Sequence, residues 1–110
     1  MKVTFERVLR LERLDDPAMT LCSVGGFELL LARVNDEIFA VDDLCTHEDA
    51  SLSSGVLKET RVRCPLHGSW FCLRTGVPEE EPADEPVRCY PTRVREGWIE
   101  VDLVHEESGT

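Results

Sequence analysis

The sequence has no long apolar run and little positive charge. No stretch of about 18 apolar residues is present, which argues against a transmembrane helix and a membrane partner. Met1 to Arg7 lack the apolar segment and cleavage site of a signal peptide, so we expect a cytoplasmic protein. Lysine and arginine number 12 against 22 acidic residues, which gives a formal net charge of -10. Because nucleic-acid binders are usually basic, DNA and RNA are poor candidate partners.

Two catalytic patterns are also missing. There is no Gly-x-Gly-x-x-Gly fingerprint for a dinucleotide, since Gly25-Gly26 is only a turn signal. The chain lacks the further histidines and carboxylate of a mononuclear iron site, and it is too short to hold one. We therefore expect that the chain alone is not an enzyme. Its 110 residues fit a single domain, 1–110.

Short alternating or β-branched runs, separated by turn residues, dominate the two ends of the chain. This pattern predicts an all-β fold, with antiparallel strands in a sandwich or barrel. The predicted strands are Met1–Leu9, Met19–Val24, Phe27–Val34, Glu37–Asp42, Val87–Tyr90, Thr92–Arg95 and Trp98–Val104. Gly25-Gly26, Asn35-Asp36 and Glu96-Gly97 predict tight turns between neighbouring strands. One helical turn is predicted at Asp15 to Met19.

The middle of the chain, residues 43–78, contains two short cysteine–histidine pairs. Cys45-Thr46-His47 is followed, after sixteen intervening residues, by Cys64-Pro65-Leu66-His67. Each pair puts one thiolate and one imidazole into a tight turn, where both can reach the same metal centre. Thr46 and Pro65 are expected to fix the conformations of these turns. Because thiols stay reduced in the cytoplasm, the cysteines favour metal ligation over a disulfide framework.

Four interpretations of the pairs compete. They could be buried core cysteines beside ordinary histidines. They could hold a structural zinc ion, although zinc sites usually pair Cys with Cys and His with His. Nucleophilic catalysis by Cys and His would not need a duplicated pair. A Rieske [2Fe–2S] cluster, in which two cysteines hold one iron and two histidines the other, explains the mixed order.

The wider sequence resembles the Rieske ferredoxins of bacterial aromatic-ring dioxygenase systems over nearly its whole length. Besides the two pairs, the resemblance rests on Gly68 to Phe71, Arg74-Thr75-Gly76, the proline loop Pro82 to Val87 and Tyr90-Pro91. It implies one [2Fe–2S] cluster, bound by Cys45, His47, Cys64 and His67. It also implies a Rieske fold: a two-sheet antiparallel sandwich at about 1–42 and 73–104, with a small cluster-binding subdomain at about 43–72.

The sequence departs from the high-potential Rieske proteins of respiratory chains. Those proteins add one cysteine to each loop and join them in a disulfide, whereas Ala50 and Leu66 occupy the two places here. Ser69 matches a serine that hydrogen-bonds the cluster end in that group, but Phe71 stands where a tyrosine would add a second hydroxyl. The resemblance therefore implies a low-potential ferredoxin.

Other residues receive structural interpretations. Trp70 and Phe71 are expected in the core, where they could also shield the cluster from water. Cys22, Cys72 and Cys89 are expected to be buried thiols that bind no metal. His105 is expected to be exposed and inert.

The resemblance implies a function as carrier of single electrons, from a flavin-dependent ferredoxin reductase to a terminal oxygenase. One alternative is a Rieske-like small subunit of a nitrite reductase. A zinc-stabilised binding module is an alternative from another class, and its lack of colour would distinguish it from a red-brown cluster protein.

Overall fold

The computed structural model describes residues 5–46, 50–66, 68–79 and 85–103, which form ten strands and two 3-10 helices. The strands are β1 (Phe5–Arg10), β2 (Ala18–Val24), β3 (Phe27–Val34), β4 (Glu37–Asp42), β5 (Val56–Lys58), β6 (Arg61–Arg63), β7 (Trp70–Cys72), β8 (Cys89–Tyr90), β9 (Thr92–Arg95) and β10 (Trp98–Asp102). They pair antiparallel in three sheets, ordered β1-β10-β9, β2-β3-β4-β8 and β5-β6-β7. The predicted all-β antiparallel fold is confirmed.

Strand β3 is buried on both faces and separates two hydrophobic clusters. Because side chains alternate along a strand, Leu29 and Leu31 point to one side and Leu30 and Ala32 to the other. The first pair packs in a cluster with strand β10, which makes the sandwich of two sheets. The second pair packs in a cluster with β6 and β7 and with both cysteines of the predicted pairs. The central sheet therefore supports the ligand-bearing segment on one face.

Tight turns fix the register of three hairpins, as the sequence predicts. Gly25-Gly26, Asn35-Asp36 and Glu96-Gly97 all have positive φ at both residues, which suits the right-handed twist of the strands that they join. The Asn35-Asp36 turn receives additional support from Asp16. Its carboxylate accepts the two amide N–H groups of the turn, at 2.9 and 2.7 Å.

The predicted helical turn at Asp15 to Met19 is wrong. This segment bends at the cis bond between Asp16 and Pro17, and β2 begins at Ala18. The helical turn lies earlier, at Leu11–Arg13. The physical reason is tertiary: Asp16 is engaged with the next turn, and pairing with β3 extends the chain from Ala18 onward.

Between the two predicted blocks of strands, the structure adds a sheet that the sequence did not indicate. Its strands β5, β6 and β7 have three residues each, which is too short for a readable alternation. The second 3-10 helix, Leu52–Ser54, precedes this sheet. The proposed division into a basal sandwich and a subdomain at 43–72 stays a prediction. In the part of the chain that the structure describes, no helix has the length and hydropathy to span a membrane.

Candidate metal centre

Cys45 lies in a loop that leaves β4 and is closed at its base. The Cys45 amide N–H donates a 2.9 Å hydrogen bond to the Ala50 carbonyl oxygen, and Leu44 forms an isolated β-bridge with Ser51. The loop therefore departs and returns at neighbouring points. Cys45 is only 3% exposed, so its side chain points inward from the base of the loop.

Cys64 occupies the same position in a second loop, between β6 and β7. Its amide N–H donates to the Ser69 carbonyl oxygen at 2.8 Å, and its own carbonyl accepts the Gly68 N–H at 3.1 Å. Gly68 has a φ of +78°, and a Cβ there would lie 2.8 Å from the Arg63 guanidinium. The positive φ favours glycine, whereas the Arg63 side chain is flexible and could move away from a Cβ. Cys64 is 1% exposed, so the second thiol is buried like the first.

The two cysteines belong to one buried cluster, packed against the central sheet. Neither forms a disulfide. Two buried thiols, each at the base of a hydrogen-bonded loop, suit thiolate ligands of an iron that must be kept from water. The residues present therefore fit an iron–sulfur group. His47 and His67, the predicted imidazole ligands, lie outside the described residues.

A third segment is tied to the first loop. The Thr46 hydroxyl donates to the Glu85 carbonyl oxygen at 2.7 Å. Two residues later, the Val87 N–H donates to the Gly76 carbonyl oxygen at 2.9 Å. These contacts attach the end of the predicted proline loop to its neighbours, whereas Pro82 to Asp84 lie outside the described residues. They also give Thr46 the loop-fixing contact expected from the sequence.

Asp43 is a buried residue of this region that the sequence interpretation missed. Its carboxylate accepts hydrogen bonds from the Ser51 hydroxyl and from the Ser53 amide N–H, the latter at 2.8 Å. Its carbonyl oxygen also accepts the Leu52 N–H at 2.7 Å. An aspartate between a strand and a turn is common, so only the later serines Ser51 and Ser53 hinted at these contacts.

Below the first loop, Tyr90 donates a 2.6 Å hydrogen bond from its hydroxyl to Asp42 Oδ1. Burial raises the pKa of Tyr90 well above its ordinary value, and the hydrogen bond to Asp42 and the charge of that carboxylate add to the effect. Arg88, stacked over the ring at 4.9 Å, acts in the opposite direction. The phenol therefore stays protonated and links β8 to the end of β4.

The structure also places the aromatic residues after the second pair and the three cysteines outside the pairs. Phe71 is fully buried and Trp70 is half-buried beneath the Arg61 guanidinium, 4.8 Å from the ring centroid. The other cysteines, which were expected to be buried, are half-buried and form no disulfide: Cys22, Cys72 and Cys89. Burial and the charge of Glu28 raise the pKa of Cys22. His105 lies outside the described residues.

Comparison with known proteins gives consistent matches. The Rieske [2Fe–2S] domain family matches residues 4–91. The anthranilate 1,2-dioxygenase ferredoxin subunit of Burkholderia cepacia is 42% identical over 89 residues, which cover 81% of each chain. The 3-phenylpropionate/cinnamic acid dioxygenase ferredoxin subunit of Escherichia coli K12 is 40% identical over 88 residues, covering 79% of this chain and 74% of the relative.

Solved structures agree with the sequence matches. The ferredoxin of carbazole 1,9a-dioxygenase from Nocardioides aromaticivorans IC177 superposes with a TM-score of 0.86 at 36% identity, covering 90% of this chain and 97% of that one. A ferredoxin solved in complex with the oxygenase of carbazole 1,9a-dioxygenase superposes with a TM-score of 0.87 at 30% identity. The match covers 96% of this chain and 99% of that ferredoxin.

The chain belongs to the Rieske [2Fe–2S] domain family. Membership implies one Rieske-type [2Fe–2S] cluster as its cofactor, in place of the zinc ion that the motif spacing left open. The two curated relatives described above are ferredoxin subunits, the electron-transfer components of aromatic dioxygenases.

Proposed function

We propose that this protein is the ferredoxin of an aromatic-ring dioxygenase system, and that Cys45, His47, Cys64 and His67 hold its cluster. In this function it takes single electrons from a flavin-dependent reductase and delivers them to a terminal oxygenase. The bound cluster supplies the one-electron redox chemistry. The chain supplies the ligands, the shielding from water and the docking surface.

The observation that supports the ligand set is the matched setting of the two cysteines. Each lies at the base of a loop, each amide N–H bonds a carbonyl five residues later, and both thiols are buried in one cluster. Each motif also carries a histidine two or three residues after its cysteine. One Cys and one His from each loop are the donors that a Rieske cluster requires.

The partners are inferred from the relatives. The chain is similar over four-fifths of its length to an anthranilate 1,2-dioxygenase ferredoxin subunit. A structural relative was solved bound to its oxygenase. We infer an oxygenase as the electron acceptor here, and a flavin-dependent reductase as the donor, because a flavin converts a two-electron hydride into single electrons. Cytoplasmic location is part of the same proposal, and fractionation of the native host tests it.

Metal and sulfide analysis tests the ligand set. The purified chain should contain two irons and two acid-labile sulfides, with visible absorption that bleaches on reduction. Cys45→Ser and Cys64→Ser should lose that absorption, and His47→Ala and His67→Ala should lose it too. Cys22→Ser and His105→Ala are matched controls and should retain it. A colourless chain with one zinc, or unchanged iron in all four ligand variants, would overturn the assignment.

Reconstituted electron transfer tests the function. The oxidised protein is mixed with NADH and a flavin-dependent ferredoxin reductase, and the reduced protein is then mixed with the oxygenase of an anthranilate 1,2-dioxygenase. Rapid reduction and then reoxidation, both lost in Cys64→Ser, are expected. A protein that instead co-purifies with a large haem- or flavin-containing subunit, and that no reductase of this class reduces, would favour the nitrite reductase alternative.

A further inference from the structure

Asp43 is a buried carboxylate beside the first ligand loop. It is 5% exposed, and both of its oxygens are occupied, Oδ2 by the Ser51 hydroxyl and Oδ1 by the Ser53 N–H. Ser51 also forms an isolated antiparallel β-bridge with Leu44. The carboxylate therefore connects the strand side of the loop to its return side, across the base that Cys45 and Ala50 close.

Among the residues that the structure describes, this carboxylate is held by hydrogen bonds from neutral groups. Within the described ranges, no lysine or arginine forms an ion pair with Asp43. Burying a carboxylate without a counter-ion is unfavourable unless hydrogen bonds replace the lost water. Two donors aimed at separate oxygens provide that replacement and suit an ionised acceptor.

The separation of Asp43 from the proposed ligand Cys45 is limited by the chain itself. Two residues of extended backbone span at most about 7 Å, so the Cα atoms of Asp43 and Cys45 are no further apart than this. A fixed negative charge at such a range, out of water, opposes the addition of an electron to the group that Cys45 holds.

We propose that Asp43 is a positioning residue that holds the Cys45 loop closed, and that its buried negative charge lowers the reduction potential of the cluster. The inference rests on the proposed ligand set. It adds to that set a buried residue that is not itself a proposed ligand.

The first test is protein-film voltammetry of Asp43→Asn. Asparagine keeps the shape, can accept the Ser53 N–H and can bond Ser51, but it carries no charge. The potential should rise. Glu37→Gln is the control for a distant charge, because it removes an exposed carboxylate, paired with Arg74, at the other end of β4, about 20 Å away. It should leave the potential close to that of the unaltered protein. Equal potentials in the two variants would overturn the proposal.

Ser51→Ala separates charge from loop geometry. It removes one donor but keeps the carboxylate, so the potential should stay unchanged or fall. If it rises as in Asp43→Asn, disturbance of the loop explains both variants and the charge plays no part. If the unaltered protein itself bound no cluster, the proposed ligand set would be refuted instead.

Iron release tests the positioning role and does not require Asp43→Asn to fold. Ser51→Ala should release iron to a chelator several-fold faster than the unaltered protein. Ser54→Ala is the control, because Ser54 is exposed and makes no side-chain hydrogen bond among the described residues. It should release iron at the unaltered rate. Equal rates in the two serine variants would overturn the positioning role.

Discussion

The Thr46 hydroxyl donates a 2.7 Å hydrogen bond to the carbonyl oxygen of Glu85, which joins the first ligand loop to a segment 39 residues further along the chain. This contact crosses no sheet and involves no charged group. It is therefore a connection between two loops, next to Cys45, that can be removed without disturbing a strand.

Thr46→Val removes that hydrogen bond at nearly constant shape. We expect a loss of roughly 1 kcal/mol in the free energy of unfolding, the usual net contribution of one hydrogen bond, and faster release of iron to a chelator. Thr92→Val is the matched control, because Thr92 donates a similar bond to Ile38 on the sandwich. It should lower stability in urea without speeding iron release. Equal release from both variants would show that the contact does not protect the site.

Gly76 supports the same region through its backbone. It has a φ of +79°, and a Cβ there would lie 2.1 Å from the Val87 carbonyl oxygen. Gly26 has a similar φ of +84° but open space around it. Gly26→Ala should cost about 1–2 kcal/mol of unfolding free energy for the left-handed backbone alone.

Gly76→Ala also forces the new Cβ against the Val87 backbone, which should lower the free energy of unfolding by about 1–3 kcal/mol more. Urea denaturation of the two variants measures the difference. Gly76→Ala should be the less stable, and it should also bind less iron, because Gly76 accepts the Val87 N–H at the edge of the site. Equal urea denaturation midpoints for the two variants would show that the Val87 backbone moves to accommodate the added Cβ.

The sandwich could be predicted because its signals are local. Strands Phe27–Val34, Glu37–Asp42 and Thr92–Arg95 have the bounds that alternation and turn residues indicate. The turns at Asn35-Asp36 and Glu96-Gly97 fixed the ends of these hairpins. By contrast, the sheet at 56–72 has strands of three residues, and only its packing on the central sheet reveals it.

The candidate site was predictable only in part. The two cysteines are recognisable because their spacing to a histidine is local in the sequence. Asp43 is not, because its role depends on serines eight and ten residues later that fold back onto it. The half-burial of Trp70 also depends on tertiary contact, with Arg61 stacked on its ring.

Tyr90 gives a prediction for the dependence of stability on pH. Its pKa is raised in the folded chain by burial and by Asp42, whereas in the unfolded chain it is about 10. The stabilising contribution is therefore complete below pH 10 and is lost as the pH rises above that value. Since Tyr90 is the single tyrosine of the chain, the tyrosinate absorbance band has one source.

The matched comparison for that prediction is Tyr90→Phe, which cannot ionise. In urea denaturation, the unaltered protein should have the larger free energy of unfolding at pH 9. The difference between the two free energies should become smaller by pH 11. A difference that stays constant with pH would mean that the pKa of Tyr90 is the same in the folded and the unfolded chain. Tyrosinate absorbance that appears near pH 10 in the folded protein would contradict the raised pKa directly.

Two leucines beside the proposed ligands are exposed to solvent. Leu44, 55% exposed, precedes Cys45, and Leu66, 59% exposed, precedes His67. Large apolar side chains in such a position suit contact with the redox partner, because burying them on docking is favourable. We expect Leu66→Ser to weaken the apparent affinity for the oxygenase by roughly fivefold to tenfold, equivalent to about 1–1.4 kcal/mol. Stopped-flow reoxidation at increasing oxygenase concentration measures this.

Leu21→Ser is the control for that experiment, since Leu21 is similarly exposed but lies on the edge strand β2. It should leave the apparent affinity unchanged. The reduction potential should be the same in both variants, because neither changes a charge, so any difference in rate reflects docking and not driving force. If Leu66→Ser and Leu21→Ser reoxidise at the same rate at every oxygenase concentration, Leu66 is no part of the contact, and the partner must approach the cluster from another side of the loop.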